Sequence, residues 1–242
     1  GIDWLLQDLA RVDGVEDRGI TTNGTRLADH VPLLARLGWR VNVHLDTLDP
    51  SRYRETCGGR GPEEVVAAIE TALAAGIRVK INAVCTSGTT PEDALRLVRF
   101  GLVRGVDVRF IEAMPVFGVG VDEGARKAIQ MLEACLREAL GMEEAGADGV
   151  ARVWRVPGEV AQVGFITPTH ADFCTGCNKI RLSSRGRLRT CLFGLDHTDL
   201  RPLLRSGDEA GLREAMARVM ADKEAGIGRE GCRIGTMVGI GG

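Results

Sequence analysis

Four short strand-like runs, two of which alternate polar and apolar residues, constrain this chain more than any other feature. They lie at residues 18–21, 40–46, 78–85 and 107–114. Along a strand, residues two apart share a face. Val41, Val43 and Leu45 therefore face one way, and Asn42, His44 and Asp46 the other. Val79, Ile81 and Ala83 likewise oppose Lys80 and Asn82. Helical segments with legible ends separate the runs. Pro62, Glu63 and Glu64 open one; Val65, Val66, Ile69 and Leu73 give it an apolar stripe, and Gly76 closes it. Thr90 and Pro91 open the next as N-cap and first helical residue, with Glu92 and Asp93 in the first turn and Gly105 past the end. Strands alternating with helices require a parallel sheet with right-handed crossovers. Such sheets ordinarily bury both faces and read as apolar throughout. Here one face is polar, so it must line something wet or liganded. An α/β barrel or open barrel meets that need, with chemistry at the C-terminal strand ends. The alternative is a sheet with one exposed face.

The rest of the chain reads differently. Residues 116–123 are rich in glycine and valine and read as a loop. A helix is expected from about 123 to 140, short strands at 152–156 and 162–167, and a charged helix from about 208 to 225. The tail from 234 to 242 has no core-forming period. At 242 residues the chain has room for one sizeable domain and a smaller appendage. The expected division is 1–115 and 116–242. A formal net charge of −2 gives no global attraction to nucleic acid or anionic membrane, so any anion must be held by a local set of cations. No apolar run approaches a membrane span, and no signal-peptide pattern opens the chain. Gly1 leads almost at once into helical sequence, and the expectation is a fragment of a longer protein.

There are seven cysteines, at 57, 85, 135, 174, 177, 191 and 232. An odd count with no secretory signal argues against a disulfide framework and for a reducing compartment, the cytoplasm. Cys174 and Cys177 form a Cys-x-x-Cys pair, and Cys191 follows after thirteen residues. Those thirteen read as a hairpin with its turn at Arg185 and Gly186, which returns Cys191 to the pair. Three soft thiolates in that arrangement are ligands of one metal centre, either an iron–sulfur cluster or zinc. A structural zinc wants a fourth protein ligand, for which His170 and Cys232 are candidates; a cubane cluster can leave one iron open. A redox dithiol would not need the third cysteine. Cys57, Cys85 and Cys135 read as non-ligands. Lys179 and Arg181 fall on one side of the first hairpin strand, and two cations beside an open metal site fit a polyanion such as a nucleoside triphosphate. Arg185 and Arg187 read as a solvated face. Lys80, on the polar strand face, is costly unless paired or liganded; a triphosphate or a carboxylate such as Asp46 would resolve that cost.

Several motifs occur in a fixed order: residues 21–24 (Thr-Thr-Asn-Gly), 41–46 (Val-Asn-Val-His-Leu-Asp), 109–115 (Arg-Phe-Ile-Glu-Ala-Met-Pro), 173–182 with its two cysteines, 191–193 (Cys-Leu-Phe) and 240–242 (Ile-Gly-Gly). Together they resemble the GTP 3′,8-cyclase family of radical S-adenosylmethionine enzymes of molybdenum-cofactor biosynthesis, over nearly the whole chain. The resemblance implies an incomplete TIM-like (β/α) barrel of the radical S-adenosylmethionine type, lacking its first strands, with a C-terminal cluster-binding extension. It implies that Cys174, Cys177 and Cys191 hold a [4Fe-4S] cluster whose open iron meets the guanine. Thr21, Lys80, Lys179 and Arg181 match GTP contacts. His44 and Met114 match contacts to S-adenosylmethionine, and Gly241 and Gly242 a catalytic terminal pair that inserts toward the active site. The implied reaction takes hydrogen from C3′ of GTP and joins C3′ to C8, giving (8S)-3′,8-cyclo-7,8-dihydroguanosine 5′-triphosphate. The implied partners are GTP and S-adenosylmethionine, with no nucleic acid and no membrane, and the family allows a homodimer.

The sequence also departs from the family. The Cys-x-x-x-Cys-x-x-Cys motif that holds the second, radical-generating [4Fe-4S] cluster is absent from these 242 residues, as is the Gly-Gly-Glu-Pro segment that binds S-adenosylmethionine. By itself the chain is therefore expected not to generate the deoxyadenosyl radical. His44 stands where a serine is usual, and Lys179 where an arginine is usual. Two other readings stand beside the cyclase: another radical S-adenosylmethionine enzyme with an auxiliary cluster, acting for instance on a peptide, and a non-catalytic metal- or nucleotide-binding protein.

Overall fold

The computed structural model describes residues 1–57, 61–114, 123–168, 178–191 and 198–224. They divide into two compact units: one within Gly1–Ala113 and Asp122–His170, the other within Met114–Val121 and Ala171–Gly242.

The first unit is a helix-covered sheet. In chain order it contains α1 (Ile2–Ala10), β1 (Gly19–Thr22), α2 (Leu27–Leu37), β2 (Arg40–His44), α3 (Pro50–Cys57), α4 (Glu63–Ala74), β3 (Val79–Cys85), α5 (Pro91–Arg104), β4 (Asp107–Glu112), α6 (Glu123–Leu140), β5 (Glu143–Asp148), β6 (Ala151–Arg155) and β7 (Gln162–Ile166). The seven strands lie in the order β1-β2-β3-β4-β7-β6-β5. β1 to β4 are parallel, β7 joins β4 in parallel, and β6 and β5 close the far edge antiparallel. Residues 123–166, which the sequence places in the C-terminal extension, thus continue the sheet of the first four strands. This is consistent with the partial TIM-like arrangement that the family resemblance implied.

The predicted faces are realised residue by residue. Val41, Val43, Ile81, Ala83, Val108 and Phe110 are buried, while Asn42, His44, Lys80, Asn82 and Arg109 between them are half-buried. Removing the apolar set from water is the main force fixing register, because a one-residue slip would exchange the two sets. On the adjacent strands β4 and β7, the rings of Phe110 and Phe165 stack with centroids 5.6 Å apart. α5 shows the expected ends: the Thr90 hydroxyl accepts from the Asp93 N–H at 3.3 Å, Pro91 follows, and Gly105 ends the helix at φ +65°. Gly101 lets α5 close on β4. A Cβ there would stand 2.5 Å from the Val106 carbonyl oxygen and 2.6 Å from a Val108 methyl. β5 was not anticipated, because Glu143–Asp148 is acidic, glycine-containing and exposed along its whole length.

The second unit is small. β8 (Arg181–Leu182), β9 (Arg187–Arg189) and β10 (Thr198–Asp199) form an antiparallel sheet in the order β10-β9-β8, followed by α7 (Arg201–Ser206) and α8 (Glu209–Glu224). Among the described residues, Leu188, Leu200 and Val219 are its buried apolar side chains, with Leu212 and Ala215 packed against them. The predicted hairpin is present. Ser183 and Arg187 bracket the turn through a 2.9 Å backbone bond, and Gly186 takes φ +69°, which the turn requires. β10 was not anticipated. No helix among the described residues is long and apolar enough to cross a membrane.

Candidate functional site

Parallel register turns the polar strand residues into rows. Thr21 on β1 pairs with Asn42 on β2, Asn42 with Lys80 on β3, and Lys80 with Asp107 on β4. One pleat nearer the C-terminal strand ends lie His44, Asn82 and Arg109. Asn42 Nδ2 donates to Thr21 Oγ1 at 3.3 Å. Gly164 on β7 leaves space for Arg109, whose Cγ would lie 3.1 Å from a Cβ there.

Lys80 is paired, and not with Asp46. Its Nζ lies 2.7 Å from Asp148 Oδ2 and 3.2 Å from Asp107 Oδ2. Arg109 Nη2 donates to the same Asp148 oxygen. Two cations from neighbouring strands thus converge on one carboxylate at the end of β5, and that carboxylate is half exposed. The hydrogen bond from Lys80 holds the Asp148 carboxyl below its ordinary value, with Arg109 adding to the effect and partial burial opposing it. An oxyanion with more charge than a carboxylate could take Asp148's place between the same two donors.

Asp46 serves His44 instead. His44 Nε2 lies 3.1 Å from Asp46 Oδ2, and Asp46 Oδ1 accepts the Val84 N–H at 2.6 Å. The hydrogen bond to Asp46 raises the His44 pKa, outweighing the opposing effect of burial. A cleft of about 380 Å³ opens beside this pair, lined among others by Asn23, His44, Tyr53 and Cys57. Cys57 is exposed. Cys85, at the end of β3, is buried, and burial pushes its thiol up to about 12, so it is inert near neutrality. Met114 is half-buried and follows Ala113, whose N–H bonds the Cys85 carbonyl at 2.9 Å.

In the second unit, Lys179 is exposed and Arg181 on β8 half-buried, and neither has an acidic partner among the described residues. Cys191 is a half-buried free thiol just past β9. Arg181 pairs with Arg189. Lys223 Nζ donates to the Thr190 carbonyl at 2.9 Å and ties α8 to this end of the hairpin. Cys174, Cys177, Gly241 and Gly242 lie outside the described residues.

The structure thus places Thr21, His44 and Lys80 on one face of the first sheet, and Lys179, Arg181 and Cys191 on one hairpin of the second unit. Sequence reasoning did not anticipate Asp107 and Asp148 as the partners of Lys80 and Arg109, or that Cys57, read as a non-ligand, lies beside His44. Arg109 and Asp107 alternate with Val108 and Phe110, which was signal enough to put them on the polar face. Asp148 and Cys57 carry no such signal.

Comparison with known proteins agrees with this architecture. Residues 5–101 match the Radical SAM superfamily, and residues 106–228 match Molybdenum Cofactor Synthesis C. The chain is 37% identical over 227 residues to a GTP 3′,8-cyclase of Ectopseudomonas mendocina, covering 89% of this chain and 68% of that protein. It is 40% identical over 224 residues to a GTP 3′,8-cyclase of Paracoccus denitrificans, covering 88% of this chain and 64% of that one. It spans about two thirds of the length of such relatives. Among solved structures, Streptococcus suis SuiB bound to its precursor peptide SuiA superposes with a TM-score of 0.60 at 18% identity, over 84% of this chain and 50% of that one. At that identity the likeness concerns the fold alone. By sequence, by family match and by the fold that carries its polar strand face, the chain belongs to the GTP 3′,8-cyclase family of the Radical SAM superfamily.

Proposed function

We propose that this chain is the GTP-binding part of a lyase that converts GTP to (8S)-3′,8-cyclo-7,8-dihydroguanosine 5′-triphosphate in molybdenum-cofactor biosynthesis. The observation that carries the reading is the Lys80–Arg109 pair on the wet face of the sheet, held by an exposed carboxylate that a triphosphate can displace. Lys80 and Arg109 neutralise phosphate oxygens, and Thr21, in the row of Lys80, offers a hydroxyl to the nucleotide. Lys179 and Arg181 add two further cations without acidic partners among the described residues. Because Arg109 presents a planar fork and Lys80 a point charge, the pair can grip adjacent phosphoryl groups in different ways.

Cys174, Cys177 and Cys191 would hold a [4Fe-4S] cluster, and three thiolates leave one iron for the purine. The free Cys191 thiol at the end of a closed hairpin fits that role. His44 and Met114 would contact S-adenosylmethionine, and Gly241 and Gly242 would reach the reacting centre. S-adenosylmethionine and the second cluster, when bound, supply the radical that takes hydrogen from C3′. The work of this chain is to hold the ribose and base in position for that step. Turnover would need the Cys-x-x-x-Cys-x-x-Cys segment, which is not among these 242 residues. The protein acts in the cytoplasm.

The test is a GTP titration of the anaerobically reconstituted chain by calorimetry. Lys80→Ala combined with Arg181→Ala is expected to weaken binding at least about tenfold, since each removes a charge-assisted contact. Unchanged affinity would rule out the triphosphate assignment.

A further inference from the structure

His44, Asp46 and Cys57 bring three unlike donors to one point. A ring nitrogen of His44, a carboxylate oxygen of Asp46 and Cys57 Sγ all lie within 4.8 Å of one another. His44 ends β2, Asp46 lies two residues beyond it, and Cys57 is the last residue of α3. The site therefore sits at the C-terminal end of the sheet, where barrels of this class place their chemistry. Sequence alone leaves Cys57 without a partner, because only the turn of α3 brings it to His44.

The donor set is selective. Imidazole, carboxylate and thiolate together suit a borderline-soft divalent ion, whereas magnesium and calcium take oxygen ligands. Around a zinc ion such donors stand about 2.0–2.3 Å from the metal, which sets them roughly 3.3–3.7 Å from one another in a tetrahedron. His44 Nε2 and Asp46 Oδ2 are already 3.1 Å apart, so the remaining closure falls on the exposed Cys57 side chain. The carboxylate is held from behind: Asp46 Oδ1 accepts the Val84 N–H at 2.6 Å, which leaves Oδ2 facing the imidazole. Second partners of this kind orient metal ligands. One thiolate and one carboxylate balance the charge of a divalent ion. His44 and Cys57 also line the cleft of about 380 Å³, so a fourth coordination position would open onto free space.

We propose that His44, Asp46 and Cys57 form a three-donor site for a divalent transition cation of the zinc class, with its fourth position open to the cleft. Its donors include none of Cys174, Cys177 and Cys191. It adds to the cofactor contact proposed for His44, since an imidazole has two ring nitrogens and only one binds the metal.

Cobalt(II) is the probe, because a bound thiolate gives a charge-transfer band and a tetrahedral site gives strong visible absorption. The titration uses the chain with Cys174→Ser, Cys177→Ser and Cys191→Ser, so that those thiols cannot contribute. One equivalent of cobalt(II) is expected to bind with a thiolate band and to be displaced by zinc. Adding Cys57→Ser, at an exposed position that leaves the fold intact, is expected to abolish the band and weaken binding at least about tenfold. His44→Gln should weaken it likewise. If the triple-serine chain does not fold, the native chain and its Cys57→Ser variant are compared instead, and the loss of one cobalt equivalent is the expected difference. A cobalt spectrum that Cys57→Ser leaves unchanged, or a folded triple-serine chain with no thiolate band, overturns the proposal. GTP takes no part in the assay, so its result is independent of the cyclase reading.

Discussion

Asp148 holds Lys80 and Arg109 together, and on the proposed reading this sets a sign for its removal. Asp148→Asn keeps the shape but deletes the charge that would compete with a phosphate at this position. Inorganic tripolyphosphate should bind the variant several-fold more tightly than the parent chain in calorimetry; equal or weaker binding would mean that Asp148 does not occupy the phosphate position. The same carboxyl links stability to acid. Its folded pKa lies below the ordinary 3.8, so its stabilising effect is complete above that value and fades as pH falls through the lower folded one. His44 runs in the opposite sense. Its pKa is raised above 6.5 by Asp46, so the stabilisation is complete below pH 6.5 and is lost as pH rises through the folded value. An NMR titration of the metal-free chain should place the His44 midpoint above 6.5 and move it down in Asp46→Asn; a midpoint at or below 6.5 in the parent would refute the coupling. These partners were only partly legible in the sequence. That Lys80 needs a counter-charge follows from its strand position, but the choice of Asp107 and Asp148 over Asp46 depends on parallel register and on a strand 63 residues further along the chain.

Elements were more legible than contacts. The alternation of β2 and β3 and the cap and proline of α5 are local signals, and the structure reproduces them. β5 was invisible because an exposed acidic edge strand buries nothing, so no periodic signal marks it. β10 is two residues long, too short for any period to register. The junction of α5 with β4 offers a test of packing at this scale. Gly101→Ala improves helix propensity by about 1 kcal/mol, yet its Cβ would press on the Val106 carbonyl, a backbone atom that cannot swing aside. Overpacking of that kind costs roughly 1–3 kcal/mol, so the variant should unfold at lower denaturant concentration than the parent. A midpoint that rises would show that α5 can withdraw from the sheet freely.

At the scale of the molecule, the two units divide the proposed work. On the proposed reading, the sheet of the first unit would supply Thr21, Lys80 and Arg109 for the triphosphate, and the hairpin of the second would supply Cys191, Lys179 and Arg181 for the metal centre and further anionic groups. The family was legible in the sequence because its motifs are short, ordered and rich in cysteine. The account therefore rests most directly on whether the hairpin cysteines hold a substrate-facing iron–sulfur cluster. The decisive measurement is EPR of the chain reconstituted anaerobically with iron and sulfide, recorded with and without GTP. The account predicts one [4Fe-4S] signal per chain that shifts when GTP is added and disappears in Cys191→Ser. Stoichiometric zinc with no iron uptake, or a cluster signal that GTP leaves unchanged, would contradict it.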